Sequence, residues 1–115
     1  MSASTSTLAV EIRSYRLRPG TRDGFHRLIT TTVVPMLRRW GMDVVRHGPS
    51  PHDGTSYLLI RAYADPEARR REQDAFYGSA EWRDGPRQAV LDPIEEYLSV
   101  VLDMDAATVD ALRQE

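Results

Sequence analysis

The stretch that decides the fold is EIRSYRLRPG, Glu11 to Gly20, together with AFYGSAEWRDGP, Ala75 to Pro86. In the first, side chains alternate with a period of two as far as the Pro19-Gly20 pair, which is typical of a strand that ends in a turn. In the second, a helical segment stops at Gly78, and Ser79 is suited to cap another helical turn. The two stretches therefore predict a first strand leading into a helix, and a broken helix leading into a last strand.

Similar signals divide the chain between these stretches. A helical pattern follows Gly20 and is interrupted by Pro35, which lacks the N–H that helix continuation needs. A loop rich in turn formers precedes the third strand, Ser56 to Ala64, and Asp65-Pro66 is a strong helix start. The order β-α-β-β-α-β predicts an α+β, ferredoxin-like fold, with a four-stranded antiparallel sheet and helices on one face. We expect a disordered segment over residues 1–8, one domain over 9–105 and a tail over 106–115.

The two faces of the predicted sheet differ in composition. One is aliphatic and includes Val10, Ile12 and Leu58, so we expect the helices to cover it. The other face combines tyrosines, arginines and a glutamate. Tyrosine and arginine are enriched at protein interfaces, so we expect this face to meet a second copy of the chain. The predicted interface residues are Glu11, Arg13, Tyr15, Tyr57, Arg61 and Tyr63. Two guanidinium groups among phenols could also bind a carboxylate or phenolate ligand, and the sequence leaves both interpretations open.

Composition excludes several functional classes. The 115 residues contain no cysteine, which removes disulfides and thiolate chemistry, and no lysine, which removes Schiff-base catalysis. The formal net charge of −2 favours no nucleic-acid partner, and no segment resembles a signal peptide or a membrane span. His26, His47 and His52 lack the three or four clustered ligands of a usual metal site. We expect a cytoplasmic protein without metal or other cofactor.

Two small residues, Ser14 and Ala62, interrupt the aliphatic face and could leave room for a ligand. Trp40 and Trp82 lie near predicted helix ends, where their rings could close over this gap or simply fill the core. With His47, which follows the second strand, these residues are the predicted pocket: Ser14, Trp40, His47, Ala62 and Trp82. No nucleophile elbow, phosphate loop or dinucleotide fingerprint is present.

The blocks EIRSYRLRPGTRDGFHRL, PMLRRWGMDVV, SYLLIRAYADPEAR and QDAFYGSAEWRDGP resemble the NIPSNAP family of the dimeric α/β-barrel superfamily. The resemblance extends from about Val10 to Asp105. It implies a homodimer in which two sheets meet as a barrel, with a ligand cavity between each sheet and its helices. The superfamily includes cofactor-free monooxygenases, haem-dependent enzymes, isomerases and proteins without known activity, and no family catalytic residue can be carried over to this chain.

Two functions of different classes are therefore expected. The first is a homodimer that binds or acts on a small hydrophobic or aromatic molecule, as an isomerase, cyclase or monooxygenase without a cofactor. The second is a non-catalytic binding or interaction module. A titratable group with a hydrogen-bond partner inside the cavity would favour the first function.

Overall fold

The computed structural model describes residues 7–113, which form four strands and several short helices. The strands are β1 (Thr7–Leu17), β2 (Asp43–Pro49), β3 (Ser56–Tyr63) and β4 (Ile94–Asp105). The α-helices are α1 (Arg22–Leu28), α2 (Val34–Arg39), α3 (Pro66–Tyr77), α4 (Ala80–Arg83), α5 (Arg87–Leu91) and α6 (Ala106–Leu112). None of the helices in these residues is long and apolar enough to cross a membrane.

Local signals in the sequence set the helix boundaries. A π-helical turn, Ile29–Val33, separates α1 from α2, and Pro35 lies in the first turn of α2, directly after that π-helical turn. Asp65 caps α3 by accepting a hydrogen bond from the Ala68 N–H at 2.7 Å. The Ser79 hydroxyl accepts from the Trp82 N–H at 3.2 Å and so begins α4. The predicted interruption at Pro35 and both predicted caps are confirmed.

The sheet is antiparallel throughout, with the order β2-β3-β1-β4. The central strands are β1 and β3, as the ferredoxin-like prediction requires. In their register Glu11 lies opposite Arg61, and on the other side of β1 it lies opposite Val101 of β4. The predicted fold class is confirmed, and this register places a carboxylate and a guanidinium side by side at the centre of the sheet.

The prediction of which face the helices cover is wrong. The main core joins the β1 and β3 face that carries Tyr15, Tyr57 and Tyr63 to helix residues such as Phe25 and Phe76. The predicted interface residues therefore lie beneath the helices of their own chain, all of them buried except the half-buried Arg13: Glu11, Arg13, Tyr15, Tyr57, Arg61 and Tyr63. The two charged residues among the buried ones are tolerated because they pair with each other, which an argument from hydrophobicity alone does not anticipate.

The aliphatic face is the open one. Helix α6 covers part of it, because Val109 packs with Val10, Val45 and Ile60 in a second, smaller core. The remainder stays accessible in the single chain, with Leu98 70% and Val100 53% exposed. We call this remainder the open apolar face, and its members are Ile12, Leu58, Leu98, Val100 and Leu102.

The domain boundaries shift slightly at both ends. Strand β1 already includes Thr7 and Leu8, and the rest of the predicted disordered segment, residues 1–6, lies outside the described residues. The predicted tail contains α6, which Asp105 caps through a 2.8 Å hydrogen bond from the Thr108 N–H. The helix is therefore part of the fold, since it packs against the sheet.

Candidate functional site

A buried charged cluster lies on the helix-covered face, centred on the Glu11 carboxylate. Arg13 Nη2 donates to Glu11 Oε2 at 2.8 Å, and Arg61 Nη2 donates to Oε1 at 3.3 Å. Helix α3 adds two donors to Oε1, Arg69 Nε at 3.3 Å and the Gln73 amide. One carboxylate thus faces three guanidinium groups, and the cluster carries an excess of positive charge.

The cluster fixes the ionisation of Glu11. Burial by itself would raise the pKa of this carboxyl, but the charges of Arg61 and Arg13 outweigh it and lower the pKa to about 2. Arg61 also donates to the Tyr77 hydroxyl at 2.8 Å, whereas its Nε finds no hydrogen-bond partner within residues 7–113. The cluster therefore offers more N–H donors than its single carboxylate accepts.

A cavity of about 370 Å³ opens between the sheet and the helices beside this cluster. We call it the sheet–helix cavity. Aromatic rings form much of its wall, and two arginines supply its charge: Tyr15, Tyr77, Trp82, Tyr97, Arg13 and Arg87. Of the described residues that line it, none is an aspartate or a glutamate. Apolar walls with a few charged groups are typical of sites for small organic ligands.

Two sets of side-chain contacts, one on the sheet side and one on the helix side, hold the wall of the sheet–helix cavity in place. The guanidinium of Arg13 lies over the Tyr97 ring, 4.9 Å from its centroid, and its Nε donates to Ser99 Oγ at 2.9 Å. On the helix side Trp82 packs against Tyr77, with ring centroids 5.4 Å apart. Burial raises the pKa of the Tyr15 hydroxyl above its ordinary value, so this phenol stays protonated at neutral pH.

The structure separates the predicted pocket residues. Trp82 lines the sheet–helix cavity, whereas Trp40 lies at the surface and donates from Nε1 to Glu81 Oε1 at 2.8 Å. Ala62 is buried on the opposite side of the sheet, in the core that contains α6. Ser14 and His47 line a second cavity at the edge of the sheet. The five residues therefore do not form one pocket, because the prediction assigned the helices to the wrong face.

This second cavity has a volume of about 570 Å³ and lies beside the end of β2. We call it the β2-edge cavity. In its wall the Tyr57 hydroxyl is 2.6 Å from His26 Nδ1 and 3.3 Å from His47 Nδ1. Burial, His26 and Arg38 together lower the pKa of His47, so its imidazole is less basic than usual. In the described chain no group of three or more His, Cys, Asp or Glu residues is arranged to hold a metal ion.

Sequence reasoning missed the functional side of α3. Arg69, Gln73 and Tyr77 recur at intervals of four residues, a spacing that places them on one side of a helix. This polar stripe faces the sheet and completes the cluster around Glu11. The stripe was visible as a signal, but an amphipathic helix is ordinarily expected to turn its polar side to solvent. Arg87 of α5 had no comparable signal.

The comparisons with known proteins agree with this architecture. The NIPSNAP family model matches residues 10–102. A NIPSNAP family protein from Agrobacterium tumefaciens superimposes with a TM-score of 0.79 at 15% identity, covering 91% of this chain and 95% of the other. A NIPSNAP-like domain protein from Burkholderia xenovorans gives 0.76 at 18% identity, covering 85% and 84%.

A monooxygenase from Streptomyces coelicolor, solved in complex with the ligand nanaomycin D, gives a TM-score of 0.64 at 20% identity. The alignment covers 89% of each chain. At such identities these likenesses concern the fold. Among curated proteins none matches the sequence significantly. Because the family model spans most of the sequence, the chain belongs to the NIPSNAP family.

Proposed function

We propose that the protein binds a small aromatic molecule with an acidic or phenolic group in the sheet–helix cavity. The observation that carries this proposal is the composition of the cavity wall, in which rings surround two arginines and acidic side chains are lacking among the described residues. An aromatic ligand packs well on Tyr77 and Trp82. Its anionic group pairs with Arg13 and Arg87, since a guanidinium binds a carboxylate or phenolate through charged hydrogen bonds.

We also propose that the working unit is a homodimer formed through the open apolar face. An aliphatic surface of this kind, exposed on a monomer, marks an interaction site, and a second copy presents the same chemistry. In such a dimer the sheets lie between two layers of helices, and the helix-covered face remains available to the ligand. The non-catalytic form of this proposal requires only reversible binding.

Cofactor-independent oxygenation is the second candidate function. It is supported by the fold shared with the Streptomyces coelicolor monooxygenase and by the positive charge of the cluster around Glu11. That charge stabilises an enolate or phenolate, the electron-rich form of a substrate that reacts with dioxygen. In the simplest case a ring CH₂ group and O₂ give a C=O group and water, so the substrate supplies all the electrons.

The binding proposal is tested with 1-naphthoate and its neutral analogue 1-naphthalenemethanol, titrated into the protein by calorimetry. We expect the acid to bind more tightly than the alcohol. Replacing one of the two cavity arginines, in Arg87→Gln, should weaken the binding of naphthoate by about tenfold, which corresponds to the loss of roughly one charged hydrogen bond. The affinity for the alcohol should stay unchanged. The matched control is Arg71→Gln, at an exposed position of α3.

Equal affinity for acid and alcohol, or an equal effect of the two arginine variants, would contradict the assignment of this cavity. The catalytic alternative is examined separately, by following oxygen consumption with an anthrone substrate. Consumption that exceeds the rate without protein and that Arg87→Gln reduces would support oxygenation. Binding without consumption would leave the non-catalytic function.

A further inference from the structure

The β2-edge cavity is a separate site with different chemistry from the sheet–helix cavity. The two cavities share no lining residue among the described ones. The wall of the β2-edge cavity is rich in hydrogen-bonding groups, contributed by β1, α1, β2 and β3: Ser14, His26, Arg46, His47, Ser56 and Tyr57. A concave polar surface with several convergent donors is suited to a small polar ligand.

The Tyr57 hydroxyl links two imidazoles into a chain. A hydroxyl has one proton, so it can donate to His26 Nδ1 or to His47 Nδ1, and the other imidazole must then donate from its own Nδ1. In the neutral chain one ring consequently has an N–H at Nε2 and the other has not. A single added proton gives both rings an Nε2–H, so the Nε2 atoms of both imidazoles are then hydrogen-bond donors and neither is an acceptor.

Charges around the chain favour an anion over a cation. Arg38 from α2 lies close enough to His47 to oppose a positive charge on its ring, Arg46 from β2 lines the cavity, and the lining residues within 7–113 contain no acidic side chain. The nearest acid in the adjoining loop, Asp53, is occupied by the N–H groups of Thr55 and Ser56 at 3.0 and 2.8 Å. A metal cation would meet two arginines and a phenol that burial keeps protonated, since burial raises the pKa of Tyr57.

We propose that the β2-edge cavity binds a small oxyanion of the phosphate or carboxylate class, and that the His26–Tyr57–His47 chain takes up a proton when the anion binds. The anion offers acceptors only, so it selects the protonated chain, in which both imidazoles are donors. Before the anion binds, His47 resists protonation because burial and the charges of His26 and Arg38 all oppose a positive charge on its ring. Affinity therefore rises as the pH falls.

The test is calorimetric titration with sulfate, which stays a dianion between pH 6 and 8, so that any pH dependence comes from the protein. We expect affinity to be about tenfold or more higher at pH 6 than at pH 8, as uptake of one proton requires over a range of this width. Buffers of different ionisation enthalpy should report the proton taken up. Phosphate and acetate titrations then rank the two classes of oxyanion, and tighter binding of either supports the proposal.

The informative variant is His47→Gln, which keeps a hydrogen-bonding group near Tyr57 but cannot be protonated. It should weaken sulfate binding at pH 6 by about tenfold and reduce the pH dependence of that binding, while His52→Gln in the exposed loop should behave like the unmodified protein. Unchanged sulfate affinity in His47→Gln, a pH-independent sulfate affinity of the unmodified protein, or no binding of any of the three anions to the unmodified protein would overturn the proposal.

A measurement on the unmodified protein keeps the proposal testable if His47→Gln does not fold. Nitrogen chemical shifts of the histidine rings distinguish neutral imidazole from imidazolium. On addition of sulfate at pH 7, we expect a shift towards imidazolium at His26 or His47 and none at His52. A shift at His52 alone, or no shift at any of the three rings, would contradict proton uptake by the chain.

Discussion

At the scale of single residues, the fold depends on a charge that hydrophobic patterning would have placed at a surface. Glu11 is buried beneath α3, and its carboxylate is the acceptor for arginines from both central strands. Burying such a group is costly unless it is paired, and removing one partner leaves the others uncompensated. Glu11 therefore holds together β1, β3 and α3, and of these elements β1 and α3 line the sheet–helix cavity.

We expect Glu11→Gln to lower the free energy of unfolding at pH 7 by about 3–5 kcal/mol, as loss of a buried charge partner does. Chemical denaturation measures this change. Glu96→Gln, which removes an exposed carboxylate with an ion pair to Arg16, should cost less than about 1 kcal/mol. Equal losses in the two variants would show that the cluster around Glu11 does not stabilise the fold.

The same carboxylate gives the stability a pH dependence. Its pKa is about 2 in the folded protein and near 4.5 ordinarily, so the folded state binds the proton less readily than the unfolded chain. The stabilisation is therefore complete above about pH 5 and is lost as the pH falls towards 2. Unfolding curves at intervals of pH should show this loss, and a slope equally steep in Glu11→Gln would assign it to other groups.

Trp82 belongs to both the core and the cavity wall, because its ring packs on Phe76 and Tyr77 while it lines the sheet–helix cavity. Trp82→Ala should lower stability by about 3–5 kcal/mol, as truncation of a buried aromatic residue does. It should also reduce the rise in melting temperature that 1-naphthoate produces. Thermal melts with and without naphthoate measure both effects. If naphthoate raises the melting temperature of Trp82→Ala as much as that of the unmodified protein, Trp82 does not contribute to the binding site.

At the scale of elements, the strands and helices were predictable because their boundaries are set locally. Pro35, Asp65 and Ser79 act through their own backbone neighbours, and each restarts or caps a helix as the sequence indicated. The side of the sheet that the helices cover was not predictable in the same way. It depends on pairing between distant residues, such as Glu11 with Gln73, which no local pattern shows.

The caps make a prediction about α3. Asp65→Ala removes the acceptor for the Ala68 N–H and should cost about 1 kcal/mol of unfolding free energy. Thr21→Ala, before α1, should cost less, since the Thr21 side chain makes no cap hydrogen bond and donates instead to the Arg18 carbonyl. Denaturant titration compares the two variants. A larger loss for Thr21→Ala would contradict the role of Asp65 as a cap.

At the scale of the whole molecule, the sheet has two kinds of face with two proposed tasks. The helix-covered face holds the charged cluster and the sheet–helix cavity, and the open apolar face would meet a second chain. The predicted candidate site could be recovered only in part, with Trp82 in one cavity and Ser14 and His47 in another. Both faces are rich in apolar residues, and composition does not tell a helix-covered face from one that a partner covers.

Adjacent residues of β4 provide a matched test of the proposed dimer. Val100 lies on the open apolar face and Val101 on the opposite side of the same strand, and both are exposed in the single chain. We expect Val100→Arg to produce monomers at micromolar concentration, since it places a charge in an apolar interface, while Val101→Arg stays dimeric. Light scattering decides between them. Dissociation by Val101→Arg alone would place the interface on the other side of the strand.

The division of tasks between the two faces is tested most directly by sedimentation velocity of the unmodified protein with 1-naphthoate, followed at protein and naphthoate wavelengths. The account predicts one boundary at twice the 13.1 kDa chain mass, with one naphthoate per chain moving in it. Sedimentation as a monomer would contradict the role of the open apolar face, and a dimer boundary without naphthoate would contradict the role of the sheet–helix cavity.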